Sequence, residues 1–147
     1  MLFRSTRTGA SYFGVADLVS FHDETHKFES HYDDYLVGPW PAASDLYRER
    51  SPVTHADSIS DPLLLLQGLD DKVVPPSQSE VIVDALKRRG IPYAYIAFAG
   101  EGHGFRKAEN VKRASEAHLS FLGQVSRFEP ADELEPVEIE KLDSVPQ

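Results

Sequence analysis

At 147 residues, 41% of them hydrophobic and 10% aromatic, the chain can bury one core and is too short for two comfortable domains. A formal charge of −9 argues against a sequence-independent nucleic-acid binder, which needs a cationic surface to neutralise phosphates. With no cysteine, the chain can form no disulfide, no thiolate metal site and no cysteine nucleophile.

The longest purely aliphatic stretch, residues 63–66, is strand-sized and far short of a bilayer span, so no membrane contact is expected. Residues 1–9 are polar and basic, without the apolar core of a secretory leader, and a cytoplasmic location is the expectation. In chain order, residues 10–15 read as a short strand. Helical stretches over 15–22 and 25–36 follow, then a loop with the sequence GPWP at 38–41. The run PLLLLQ at 62–67, bounded by Asp61 and Gly68, reads as a strand buried on both faces.

After Pro75 and Pro76 the spacing predicts a helix over 77–89, with Ile82, Ala85, Leu86 and Arg89 on one side. Gly90 stands where a left-handed residue ends a helix. Residues 91–99 carry the β-branched and aromatic bulk of a second strand: Tyr93, Tyr95, Ile96 and Phe98. A closing helix is predicted over 108–125, with Val111, Ala114, His118, Phe121 and Leu122 spaced for one face. Strand, helix, strand in this order is a βαβ unit with a right-handed crossover, which gives an α/β fold with a parallel sheet. From Arg127 to the end there are seven acids and two bases, so 127–147 reads as a solvated, poorly ordered acidic tail on a domain over 1–126.

Reactive groups in open α/β sheets collect on loops at the carboxyl ends of strands. Two such loops occur here, GLDDKVVP at 68–75 and GEGHGF at 100–105. A parallel βαβ unit sets them side by side, so Asp71 and His103 can meet. A carboxylate on one imidazole nitrogen fixes the tautomer and leaves the other nitrogen to take and return a proton. The glycines on either side of His103 permit the tight backbone that aims its ring.

The run from SP at 51–52 through QGLDDKVVPPSQSE at 67–80 to GEGHGFR at 100–106 resembles the end of the peptidase domain in the prolyl oligopeptidase family. It is most similar to the dipeptidyl-aminopeptidase and acylaminoacyl-peptidase branch. The segments THKFES at 25–30 and YLVGP at 35–39 also resemble that branch, after its nucleophile helix. The likeness covers roughly residues 9–140. It implies an incomplete α/β-hydrolase fold: a short parallel sheet of about three strands flanked by helices. Matching the family pattern G-x-x-D-x-x-V-P puts the triad acid on Asp71 rather than Asp70, and the catalytic histidine on His103. The implied substrates are peptides or acyl-peptides, with no cofactor and no metal.

The family's serine sits in G-x-S-x-G on a strained turn between strand and helix. Only Ser11 here has a glycine two residues before it, and position 13 is phenylalanine. By the resemblance, GASYFG at 9–14 is the strand after the nucleophile helix, so Ser11 is structural. The oxyanion-hole loop would also lie upstream, and MLFRSTRT at 1–8 reads as an internal start or junction. The expectation is a fragment with acid and base but no nucleophile, inactive alone, with an exposed sheet edge open to self-association. Alternatives are a fragment of a dienelactone-hydrolase-like esterase, or a half-domain completed by a partner chain.

Other residues receive plainer readings. A metal site at His22, His26 and His31 is disfavoured, because Glu24 and Thr25 interrupt the helical spacing. Trp40, Tyr35 and Tyr47 are expected to pack a loop rather than line a pocket. Glu101 reads as a loop acid, and Arg106 either as a counter-charge to the acidic tail or as a surface cation.

Overall fold

The computed structural model describes residues 8–24 and 32–142; the whole THKFES segment, His26 included, and His31 lie outside them. Three strands, β1 (Gly9–Tyr12), β2 (Leu63–Gly68) and β3 (Tyr93–Phe98), pair in parallel in the order β1-β2-β3. The helices are α1 (Leu18–Glu24), α2 (Tyr32–Leu36), α3 (Ser44–Arg50), α4 (Pro76–Arg89) and α5 (Ala108–Ser126). A 3-10 segment (Pro52–Ser58) follows α3.

The central strand explains the two layers. Residues alternate faces along a strand. Leu64 and Leu66 therefore join Ala94 and Phe98 against α5, where Ala114, Ala117, Phe121 and Val125 complete one cluster. Leu65 points the other way and packs with Tyr93 against Ile82 and Leu86 of α4. A strand buried on both faces is mostly apolar, as residues 63–66 are, with buried Gln67 the polar residue near its end.

Local chemistry sets most boundaries. Pro76 opens α4, one residue before the expected start, where a missing N–H costs nothing. Gly90 closes it in the left-handed region at φ 68°, its N–H donating to the carbonyls of Leu86 and Lys87. Helix α1 starts at Leu18 rather than at residue 15, because the Asp17 side chain caps the N–H groups of Val19 and Ser20 at 3.0 and 3.3 Å. Strand β1 stops at Tyr12, short of the expected residue 15. Phe13 turns the chain out of the sheet with a φ of 54°.

Two expectations are corrected. The buried face of α5 keeps the expected Ala114 and Phe121 but is completed by Ala117 and Val125, while Val111 is 45% exposed and His118 and Leu122 are only half-buried. The small residues win because alanines at 114 and 117 let the helix come close to Leu64 and Leu66, which the larger Val111 and Leu122 would hold off.

Residues 127–142, expected as a solvated tail, lie against the domain instead. Val137 is buried with the α5 cluster, and Ile139 and Leu142 pack against it. The Val137 N–H donates to Ser120 Oγ at 3.2 Å, and Gln124 Nε2 donates to the Val137 carbonyl at 3.0 Å. Tyr93 and Glu140 exchange both backbone hydrogen bonds, at 3.2 and 2.8 Å, as an antiparallel bridge on the outer edge of β3. The composition of the segment misleads because it averages over faces. Val137 and Ile139 alternate with exposed Glu138 and Glu140, a period-2 pattern that buries one side and solvates the other.

Val137→Asp would place an unpaired carboxylate in the core. Its urea midpoint should fall by the equivalent of about 2–4 kcal/mol, with proteolysis newly admitted between 128 and 142. A freely solvated tail would leave the midpoint within about 0.5 kcal/mol of the parent.

Candidate functional site

The carboxyl ends of β2 and β3 open into the two loops singled out in the sequence, and the loops touch. The Leu69 N–H donates to the Phe98 carbonyl at 3.0 Å, and the Asp70 N–H to the Glu101 carbonyl at 2.9 Å. Gly68 sits where the backbones converge. A Cβ there would lie 2.4 Å from the Gly102 oxygen and 2.5 Å from the Glu101 oxygen, both fixed main-chain atoms.

Across this seam Asp71 and His103 meet. Asp71 Oδ2 accepts from His103 Nδ1 at 3.0 Å, as the sequence placed them. The carboxylate is fully buried, while the imidazole is 43% exposed. Asp71 Oδ1 accepts the N–H groups of Val73 and Val74, each at 2.9 Å, so the turn that carries the acid also holds it. With Asp71 accepting at Nδ1, the neutral ring carries its proton there and presents Nε2 as a base. Asp70, the neighbouring acid, is exposed and joins the site only through its backbone.

Gln67 lies beneath the acid with no exposure. Its Nε2 donates to the carbonyls of Gly68 and Val74 at 3.1 and 3.0 Å and lies 3.4 Å from Asp71 Oδ2. Ser79 Oγ donates to Gln67 Oε1 at 2.8 Å. A polar side chain inside β2 is thereby fully used in bracing both ends of the Asp71 turn.

Glu101 is the residue that sequence reasoning undervalued. It is 2% exposed and accepts three hydrogen bonds: from Arg106 N–H at 2.9 Å, Lys107 N–H at 3.0 Å and Asn110 Nδ2 at 2.7 Å. The Asn110 amide and the Arg106 N–H hold its carboxyl below the ordinary glutamate value, against the opposing effect of burial. The carboxylate pins the start of α5 while its own carbonyl pins the Asp71 loop, and His103 lies two residues on. The signal was faint: an acid in a glycine-rich loop, seven residues before a helix that lacks a capping side chain of its own.

The remaining candidates separate cleanly. Ser11 lies within β1, paired with Leu65 in a regular strand rather than on a strand-to-helix turn. Tyr47 is fully buried and donates to the Gly38 carbonyl, with the Trp40 ring 5.2 Å away, whereas Tyr35 is 88% exposed. His22 packs beside Trp40 at 4.9 Å between ring centroids. Among the described residues no cluster of three or more His, Asp or Glu side chains is placed to hold a metal ion. Among them, too, no helix is long and apolar enough to cross a membrane.

A sequence model of the prolyl oligopeptidase family matches residues 6–128. Dipeptidyl aminopeptidase BIII of Pseudoxanthomonas mexicana is 44% identical over 84 residues, which cover 56% of this chain and 12% of that protein. Esterase LipQ of Mycobacterium tuberculosis is 28% identical over 130 residues, 82% of this chain and 30% of the esterase. The structure of a Mycobacterium tuberculosis puromycin-hydrolyzing peptidase superposes with a TM-score of 0.87 at 51% identity, covering 91% of this chain and 20% of that one. The chain thus spans between about an eighth and a third of the relatives named here.

The two anchors of the site have measurable consequences. Gly68→Ala should force the loops apart and lower stability by about 1–3 kcal/mol in urea unfolding. For Glu101, a depressed folded-state value means that its contribution is complete above the ordinary glutamate range. It is lost as pH falls through the depressed value. Glu101→Gln should remove that part of the acid-side slope, read as the difference between the two unfolding free energies across the acidic range.

Proposed function

The chain belongs to the prolyl oligopeptidase family, and we propose that it carries the proton-transfer half of a serine-peptidase site, with Asp71 orienting and His103 as the base. The 3.0 Å contact between Asp71 Oδ2 and His103 Nδ1 supports this reading above all else. In the proposed reaction a serine hydroxyl attacks the acyl carbon and passes its proton to His103 Nε2. The imidazolium, stabilised by buried Asp71, returns that proton to the leaving amine. Water then repeats the sequence on the acyl-serine, leaving free acid and regenerated serine. These steps use neither metal nor cofactor.

The serine is proposed to come from outside the chain described here, since no G-x-S-x-G occurs in its sequence. The chain alone is then a fragment without turnover. Its complement, on this reading, pairs with the outer edge of β1, which has no strand neighbour among the described residues. Without that complement the edge favours self-association. Peptide or acyl-peptide substrates are proposed from the aminopeptidase and puromycin-hydrolyzing relatives. Ester hydrolysis is a second reading, supported by the alignment with esterase LipQ over 82% of the chain. Both share the same acyl transfer and differ in the leaving group.

A fluorophosphonate probe should leave the isolated chain unlabelled, and stoichiometric modification of Ser11 would overturn the assignment. Supplying a segment that bears G-x-S-x-G should restore peptide hydrolysis. His103→Gln should then lower that rate by at least about 10²-fold, the usual worth of a positioned base. Sedimentation of the isolated chain should show association that grows with concentration.

A further inference from the structure

We propose that Phe13 is a positioning residue for His103, holding the imidazole in the orientation at which Nδ1 meets Asp71. The inference rests on the Asp71–His103 reading above and adds a second restraint to it. One hydrogen bond fixes a distance but leaves the ring free to rotate about the line joining the two atoms. The bridge between Gly102 and Gly104 tightens the backbone around His103, but the side chain is 43% exposed and the backbone does not fix the rotation of its ring. Something else has to hold the ring.

The Phe13 ring is placed to do so. Its centroid lies 5.3 Å from that of His103, with the planes tilted by 53°. Behind it Phe105 sits at 4.7 Å, and behind Phe105 stands Phe98 at 4.3 Å. Phe98 is 5% exposed and belongs to the core cluster on β2 and β3. Four rings in successive contact thus run from the packed interior to an exposed imidazole. Contacts of this tilted kind are favourable beyond the area they bury.

The backbone carries an independent sign. Phe13 has a φ of 54°, in the left-handed region that bulky residues avoid. Glycine is the residue that enters this region freely, and one stands next in the chain at Gly14, yet position 13 is phenylalanine. Strained conformations persist where the surroundings over-determine them, and they concentrate at functional sites. Here the Phe13 N–H is held by the Leu66 carbonyl at 3.1 Å, while its ring is held by Phe105 and His103.

The test is imidazole NMR on the whole chain, at a pH where the ring is neutral. The parent should show the Nδ1–H tautomer, a slowly exchanging Nδ1 proton and cross-peaks between the rings of Phe13 and His103. Phe13→Ala should give mixed tautomers and Nδ1–H exchange faster by up to about tenfold, the scale of one aromatic contact. Phe13→Leu, which keeps the bulk, should restore the single tautomer. Phe13→Gly should loosen the imidazole as alanine does while unfolding at higher urea than Phe13→Ala, because it removes the backbone strain.

An unchanged tautomer and exchange rate in both small variants would overturn the proposal. So would missing ring-to-ring cross-peaks in the parent, a result that needs no variant to fold. Asp71→Asn separates the two layers of inference. A tautomer indifferent to that change would sink the Asp71–His103 pair itself, whereas a response to it with none to Phe13 would sink only the present proposal.

Discussion

Position 68 has room for a hydrogen atom and nothing larger. Neighbouring parallel strands run about 4.8 Å apart, so loops leaving them start as neighbours. A side chain between them would keep Asp71 and His103 apart. At Gly68 the backbones of the two loops close to contact, with the carbonyls of Glu101 and Gly102 where a Cβ would stand. The inter-loop bond from Asp70 to Glu101 and the pairing of Asp71 with His103 follow from that approach.

A chain of net charge −9 nevertheless buries the Asp71 and Glu101 carboxylates at the rim of its sheet. Burying a charge is tolerated only when donors surround it, and both acids are surrounded. Their donors differ in kind. Glu101 takes two backbone N–H groups and an asparagine amide, all on its own loop and the start of α5, so it acts on the shape of the loop. Asp71 takes two N–H groups of its own turn and spends its second oxygen on an imidazole that faces solvent. One carboxylate builds the frame and the other is presented by it.

The two edges of the sheet are unlike. On β3 the outer edge is met by Glu140, which the 127–142 segment brings back across the domain. On β1 the outer edge has no strand partner among the described residues. An unpaired row of N–H and C=O groups is a template for another strand. The 127–142 segment also covers the apolar surface beneath it, since Val137 enters the cluster that holds Leu64 and Phe121.

Much of this was legible in the chain by itself. A leucine run between turn residues, a helix framed by Pro76 and Gly90, and an aromatic strand can be read residue by residue, because each reflects local preference or short-range periodicity. The choice of Asp71 over Asp70 came from the resemblance to the family pattern G-x-x-D-x-x-V-P, and the structure puts Asp71 against His103. Tertiary packing decided the rest. Which face of α5 turned inward depended on how closely Leu64 and Leu66 allowed it to approach. Whether 127–142 left the domain depended on the apolar cluster that receives Val137. Glu101 and Phe13 looked ordinary because their partners lie elsewhere: Asn110 on a following helix, and Phe105 and His103 on a loop some ninety residues away. Local sequence determines what a segment can be, and only the folded chain determines what stands beside it.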